Sequence, residues 1–242
     1  AQWVTFLRNH DELTLEMVSE EDRQWMWAQY APEPRMRLNL GIRRRLAPLL
    51  DNDRRKIELA NSILFTLPGS PIVYYGDEIG MGDNIWLPDR HGVRTPMQWK
   101  ATPKAGFSEG PTDEFYNPVI SEEPYDPASV NVADQRADPD SLLHTVRHLI
   151  HVRKATPALG RGDHHFLPVD NPHILAILRT SDDDTVLAIH NLSEQAQRVA
   201  LPLGEWTGHQ PESLLGDEGL PPIADAPYEL ELAPFAYHWL RL

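Results

Sequence analysis

Asn9-His10-Asp11-Glu12 is the stretch of this chain best equipped for chemistry on a polyol. A carboxylate accepts two hydroxyl hydrogen bonds and an imidazole donates one, so His10 and Asp11 side by side can grip neighbouring hydroxyls of one ring. The same residues also suit a helix start, with Asp11 or Thr14 capping the turn that follows. Tyr75-Gly76-Asp77-Glu78 offers a second pair of acids. Neighbours on extended backbone point to opposite sides, so a carboxylate that anchors its own loop competes with acid–base work as the explanation. The third group is Arg90-His91-Gly92-Val93-Arg94-Thr95-Pro96-Met97-Gln98-Trp99. Trp faces stack on pyranose C–H groups and Arg spans pairs of oxygens; packing within the loop is the plainer use of the same side chains.

These groups need elements to place them. Residues 3–7 (Trp-Val-Thr-Phe-Leu) are almost continuously apolar, the pattern of a strand buried on both faces in a parallel sheet. Ile72-Val73-Tyr74-Tyr75 is a second such run. Between them, Ile57, Ala60, Ile63, Leu64 and Leu67 predict a helix over 54–67, capped by Asn52 or Asp53 and stopped by Pro68-Gly69. Strand, helix, strand is the βαβ unit of an α/β fold. Residues 12–50 are expected to hold short helices, with Leu38 to Leu50 the best pattern. Residues 77–140 are rich in Pro, Gly, Asp and Asn and read as a long functional loop. A helix over 141–155 shows Leu142, Val146, Leu149 and Ile150 on one face, ended by Pro157 and a Gly160-Arg161-Gly162 turn.

The grammar then changes. His164–Val169, Ile174–Arg179, Thr185–Asn191, Arg198–Leu203, Tyr228–Leu232 and Tyr237–Leu242 are short strand-like runs, two of them joined by the acidic turn Asp182-Asp183-Asp184. They predict a small antiparallel β-sandwich. The expected class is therefore α/β plus all-β, with residues 1–160 in the first domain and 161–242 in the second. Two βα units fall far short of a closed (β/α)8 barrel, so residues 1–160 are part of an open sheet or the last part of a barrel.

Composition narrows the function. Lys plus Arg is 22 against 36 Asp plus Glu, a net charge of −14. Phosphate binding needs a basic face, so nucleic acid is excluded as a main partner. The absence of cysteine excludes disulfides and thiolate metal sites. No apolar run is long enough for a membrane helix. The cluster Arg35, Arg37, Arg43, Arg44, Arg45 is expected to make internal ion pairs or a subunit contact. His144, His148 and His151 share a helix face and are expected to be solvated, not metal-bound. The opening Ala1-Gln2-Trp3, without an initiator Met, is the start expected of a piece of something longer.

Phe6-Leu7-Arg8-Asn9-His10-Asp11-Glu12, then Leu67-Pro68-Gly69-Ser70-Pro71 with Tyr74-Tyr75-Gly76-Asp77-Glu78-Ile79-Gly80-Met81, then Arg94-Thr95-Pro96-Met97-Gln98-Trp99 resemble the alpha-amylase family in this order and spacing. The last block is shared with its alpha-glucosidase-like branch. Asn9 to Glu16, Arg35 to Arg37 through Leu50 to Arg55, and Gly80 to Ile85 resemble the branch that isomerises maltose to trehalose. The resemblance implies the last two βα units of a (β/α)8 TIM barrel followed by the β-sandwich, with Asn9-His10-Asp11 ending strand seven and Ile72–Tyr75 as strand eight.

It also implies retaining double displacement through a glucosyl-enzyme, with a nucleophilic Asp and an acid/base Glu that would both lie before Ala1. Asp11, helped by His10, would be the catalytic third carboxylate, holding two hydroxyls of the distorted glucosyl ring as oxocarbenium character develops. Arg94 would contact the same glucose near its 4-hydroxyl, and Glu12 the neighbouring glucose. The implied partners are maltose, trehalose and the remainder of the same enzyme chain, with room for a homo-oligomer, in the cytoplasm. The segment alone would be inactive and would hold no metal or cofactor, the family's divalent-metal site lying upstream. A hydrolytic alpha-glucosidase and a non-catalytic carbohydrate-binding or assembly piece are the alternatives. Residues 80–132, with Trp86, Trp99, Phe107 and Tyr116, are expected to help close the pocket against water.

Overall fold

The computed structural model describes residues 3–182, 184–216, 219–225 and 227–242. In chain order the elements are β1 (Val4–Phe6), α1 (Glu20–Tyr30), β2 (Arg37–Leu38), β3 (Gly41–Ile42), α2 (Leu46–Leu49), α3 (Arg54–Thr66), β4 (Ser70–Ile72), α4 (Val132–Ala137), α5 (Leu142–Ala155) and α6 (Pro157–Arg161). Strands β5 (Asp163–Phe166), β6 (Ile174–Ser181), β7 (Asp184–Asn191), β8 (Gln197–Leu201), β9 (Glu212–Ser213), β10 (Tyr228–Leu232) and β11 (Tyr237–Arg241) follow. The chain forms two compact units, one of Phe6–Ile57 with Ile72–Thr145, the other of Ala1–Thr5 with Glu58–Pro71 and Val146–Leu242.

Among the described residues, the first unit is mostly irregular backbone around two small cores. Leu15, Ala31 and Ile42 are buried with Leu13, Met26, Trp27 and Met36 packed on them. Ile79, Met81, Met97 and Val130 form the other. Helix α1 begins where Ser19 Oγ accepts the Asp22 N–H at 3.1 Å, and Glu20, Glu21 and Asp22 complement the positive end of its dipole. Helix α3 begins at Asp53, whose Oδ1 accepts the Arg55 N–H at 3.0 Å.

The second unit carries a five-stranded antiparallel sheet in the order β5-β6-β7-β11-β9 and an antiparallel pair, β10-β8. One face of the large sheet (Ala176, Leu178, Leu187, Ile189, Leu240) shares a core with Val199, Leu201, Tyr228 and Leu232 of the pair. The large sheet also buries Arg179, His190 and Trp239. Trp239 Nε1 donates to Ser62 Oγ at 2.8 Å, and Ser62 Oγ lies 3.0 Å from His190 Nε2. The C-terminal carbonyls of α3 and the turn after it are met by two arginines. Arg179 donates to Thr66 O at 2.8 Å, and Arg153 to Phe65 O and to Gly69 O at 2.7 Å. The turn needs glycine: Gly69 has φ 108°, and a Cβ there would lie 2.9 Å from Trp3 O.

Several elements differ from the sequence expectations. The strand at residues 3–7 is shorter and open to solvent: Val4 is 57% and Phe6 43% exposed. Among the described residues β4 is its one strand partner. Leu38 to Leu50 is not one helix. Asn39 turns the chain at φ 49°, β2 and β3 pair as a hairpin, and only Leu46–Leu49 is helical. The second strand falls at Ser70–Ile72, ahead of Tyr74 and Tyr75, whose hydroxyls donate to Val93 O at 2.9 Å and Thr95 O at 2.7 Å. The turn expected at Gly160-Arg161-Gly162 is largely the helix α6, with Pro157 in its first turn. In the acidic turn Asp182 takes φ 44° and Asp184 starts β7; Asp183, like the opening Ala1-Gln2, lies outside the described residues.

Candidate functional site

Residues 9–12 are clamped at both ends. Before them, the buried Arg8 donates to Arg44 O at 2.5 Å and Ile42 O at 3.1 Å. After them, Leu13 and Ile42 exchange backbone hydrogen bonds of 2.9 Å each. Gly41 makes that bridge possible, since a Cβ there would sit 2.5 Å from Leu13 O. Asp11 caps no helix: α1 starts nine residues later, with Ser19 as its cap. Nor does Thr14, whose Oγ1 accepts only the local Glu16 N–H at 3.4 Å. This overturns the helix-start reading and leaves Asp11 with other partners.

Those partners are Glu12 and Arg90. Asp11 Oδ1 accepts the Glu12 N–H at 2.7 Å and Arg90 Nε at 2.6 Å. Arg90 also donates to Glu12 Oε2 at 3.0 Å and Asp89 Oδ1 at 2.7 Å. Asn39 Nδ2 holds the other Glu12 oxygen at 2.8 Å. Hydrogen bonding with the Glu12 side chain, then with its backbone and with Arg90, outweighs partial burial and holds the Asp11 carboxyl at about 2. Asp11 is therefore an acceptor at neutral pH.

Arg94 links this cluster to a cavity of about 400 Å³. Its Nε donates to His10 O at 2.8 Å, and its side chain lines the cavity beside Glu78 and Asn117. Most of the remaining wall is aromatic: Tyr75, Trp99, Phe107, Phe115 and Tyr116. His10 itself is exposed. Of the four aromatic residues expected to close a sugar pocket, Trp99, Phe107 and Tyr116, all three exposed, line this cavity. Trp86 does not; the Arg35 guanidinium sits 4.6 Å above its ring.

The two acids after β4 part company. Asp77 turns inward to Arg45 at 3.4 Å, and burial raises its carboxyl to about 6. Glu78 accepts the Gly76 N–H at 2.7 Å and borders the cavity, with burial raising its pKa. Both anchor the loop; the place of Glu78 at the cavity was not readable from a neighbour pair. The arginine cluster is likewise internal. Arg44 pairs with Asp83 at 2.9 Å, Arg45 with Asp77, and Arg43 spends its donors on backbone carbonyls. Arg90 opens the third group of the sequence analysis, but its pairing with Asp11 and Glu12 is not part of that reading. Its partners Asp11 and Glu12 stand 79 and 78 positions away, so local spacing carries no trace of the cluster.

On α5, His148 and His151 are exposed and the His144 ring reaches Arg136 O at 3.3 Å. Among the described residues no group of three or more His, Asp or Glu is arranged to hold a metal ion, and no helix is long and apolar enough to cross a membrane.

The alpha amylase catalytic-domain family matches residues 42–162, and the maltogenic amylase C-terminal domain matches residues 164–239. A trehalose synthase from Pimelobacter sp. is 49% identical over 245 residues, which cover 100% of this chain and 43% of that protein. Trehalose synthase/amylase TreS of Mycobacterium tuberculosis is 50% identical over 245 residues, covering 100% of this chain and 41% of its own. This chain thus spans less than half the length of these relatives. The crystal structure of the trehalulose synthase MutB from Pseudomonas mesoacidophila superposes with a TM-score of 0.65 at 22% identity, over 98% of this chain and 42% of that one. The fold is part of an alpha-amylase catalytic domain, without a closed barrel among the described residues, followed by the C-terminal β-domain. With both parts matched and trehalose synthases similar along its whole length, the chain belongs to the alpha-amylase family.

Proposed function

We propose that this chain works as the C-terminal part of a trehalose synthase, which isomerises maltose to trehalose by retaining double displacement. The observation that carries this reading is Arg94. It lines the aromatic cavity and donates to His10 O, a contact between the two motifs that resemble the family's sugar-binding blocks; His10, Asp11 and Glu12 do not themselves line that cavity. In the proposed roles, Asp11 holds two hydroxyls of the glucosyl ring with help from His10. Arg94 contacts the same glucose, and Glu12 meets the neighbouring one. An ionised Asp11 accepts without competing protons, and its bonds strengthen as positive charge grows on the ring.

The remainder of the enzyme supplies the nucleophile and the acid/base, so this segment alone turns nothing over. The reading assigns these residues no metal or cofactor, and it sets the enzyme in the cytoplasm. Isomerisation requires released glucose, not water, to attack the glucosyl-enzyme. Trp99 and Phe107 stand on the cavity wall, half-exposed in this segment, and in this reading they pack against bound sugar to keep water from the intermediate. Maltose turnover by the full-length enzyme tests the proposal. Trehalose is the expected main product; glucose alone would identify a hydrolytic alpha-glucosidase instead. Asp11→Ala should lower kcat by about a thousandfold while KM changes little. A kcat within about tenfold of the parent would remove Asp11 from the machinery.

A further inference from the structure

We infer that Arg90 is the positioning residue of this site: a single guanidinium, presented by a pinned loop, sets Asp11 and Glu12 side by side for two adjacent sugar units. The inference rests on the reading above, in which those carboxylates meet sugar. Each of the three guanidinium nitrogens goes to a different carboxylate: Nε to Asp11 at 2.6 Å, Nη2 to Glu12 at 3.0 Å and Nη1 to Asp89 at 2.7 Å. A planar fork with fixed angles imposes relative orientation on what it binds; a point charge does not.

The loop behind Arg90 is built to hold it still. Residues 84–92 close on themselves through Asn84 N–H to Gly92 O at 3.0 Å. Only glycine fits that closure, because a Cβ at Gly92 would lie 2.2 Å from Asn84 O. From inside, the buried Arg43 donates to Ile85 O and Leu87 O at 2.8 Å each, and also to Asp89 O. Asp89 turns the chain at φ 46° immediately before Arg90. The second oxygen of Glu12 is fixed by Asn39.

Charge makes the arrangement depend on Arg90. Asp11, Glu12 and Asp89 converge on one cation, so removing it leaves three like charges with no common counter-ion. Asp11 and Glu12 would then separate. A rival account is an ordinary surface ion pair, since the Arg90 side chain is 27% exposed. The two differ in what they predict: a surface pair affects neither rate nor the role of Asp11.

The test uses the full-length enzyme with maltose. Arg90→Ala should lower kcat by about tenfold or more, with KM changed less than about threefold. Millimolar ethylguanidinium should restore part of that rate. In an Asp11→Asn background the same change should cost less than about twofold, because Arg90 acts through Asp11. Arg90→Lys keeps the charge but loses the fork, and should also fall by about tenfold. It carries the test if the alanine variant does not fold. The inference is overturned if either Arg90 variant keeps kcat within about twofold of the parent. A full loss that persists in the Asp11→Asn background overturns it as well. If Asp11→Asn itself keeps the parental rate, the reading of Asp11 fails, whatever Arg90 does.

Discussion

In the unit that carries residues 9–12, Arg90 holds three carboxylates at a partly exposed surface. In the sandwich unit, Arg153 and Arg179 are buried and hold backbone carbonyls. Histidines divide in the same way: His10 is exposed beside Asp11, whereas His190 is fully buried against Ser62. Where the partners are side-chain anions, the pairing stays within reach of solvent. Where the partners are carbonyls of a helix end, charge is consumed in satisfying backbone, and burial lowers Arg153 to about 10. One chemistry holds carboxylates in one unit and backbone carbonyls in the other.

Substitutions on the two sides should therefore fail differently. The largest effect belongs to Asp11→Ala, with about a thousandfold loss of kcat and a melting temperature within a few degrees of the parent. Its carboxylate is partly exposed, so its pairing contributes little to stability. If that variant unfolded instead, the contrast between the units would break.

Arg179→Met should do the reverse. It orphans Thr66 O and Gly162 O and should cost about 2–4 kcal/mol in urea unfolding, with kcat of the folded fraction unchanged. Loss of rate without loss of stability would place Arg179 in the wrong class.

Acid should act through His190. Trp239 Nε1 and His190 Nε2 both meet Ser62 Oγ in the buried interior, at 2.8 and 3.0 Å. Burial lowers that imidazole to about 4 from an ordinary 6.5. The unfolded chain then binds more protons between those values, so stability is full above about pH 6.5 and falls as pH drops towards 4. At most about 3 kcal/mol is at stake. His190→Gln should flatten that slope in denaturation curves collected across this range; an unchanged slope would exclude His190 as its source.

The smallest effect sharpens the site itself. Phe107→Ala opens the cavity wall and should raise the glucose-to-trehalose product ratio by about two- to fivefold. Trp86→Ala should leave the ratio alone, since Trp86 stands outside the cavity under Arg35. Equal effects from both would mean that water enters by another route.

How much of this was readable from residues alone follows the range of the forces involved. Helix α3 and the strands β6, β7, β10 and β11 were legible because period, capping and turn residues act over a few positions. The hairpin at Arg37–Ile42 was not, because Asn39 in the left-handed region and the close approach of Gly41 to Leu13 reverse a pattern that looks helical. His10, Asp11 and Arg94 were visible as residue types suited to sugar and by family resemblance. Their junction through the His10 carbonyl was not, nor was the convergence of three acids on Arg90. The contacts of Arg94 with His10 and of Arg90 with Asp11 and Glu12 join segments some 80 positions apart.

The central claim is that Asp11 grips the sugar ring. A crystal structure of the full-length enzyme soaked with glucose tests it most directly. The account predicts a glucose in the aromatic cavity with two ring hydroxyls within hydrogen-bond distance of the Asp11 carboxylate and Arg94 on the same ring. Glucose bound with Asp11 untouched and still wholly engaged by Arg90 would contradict it.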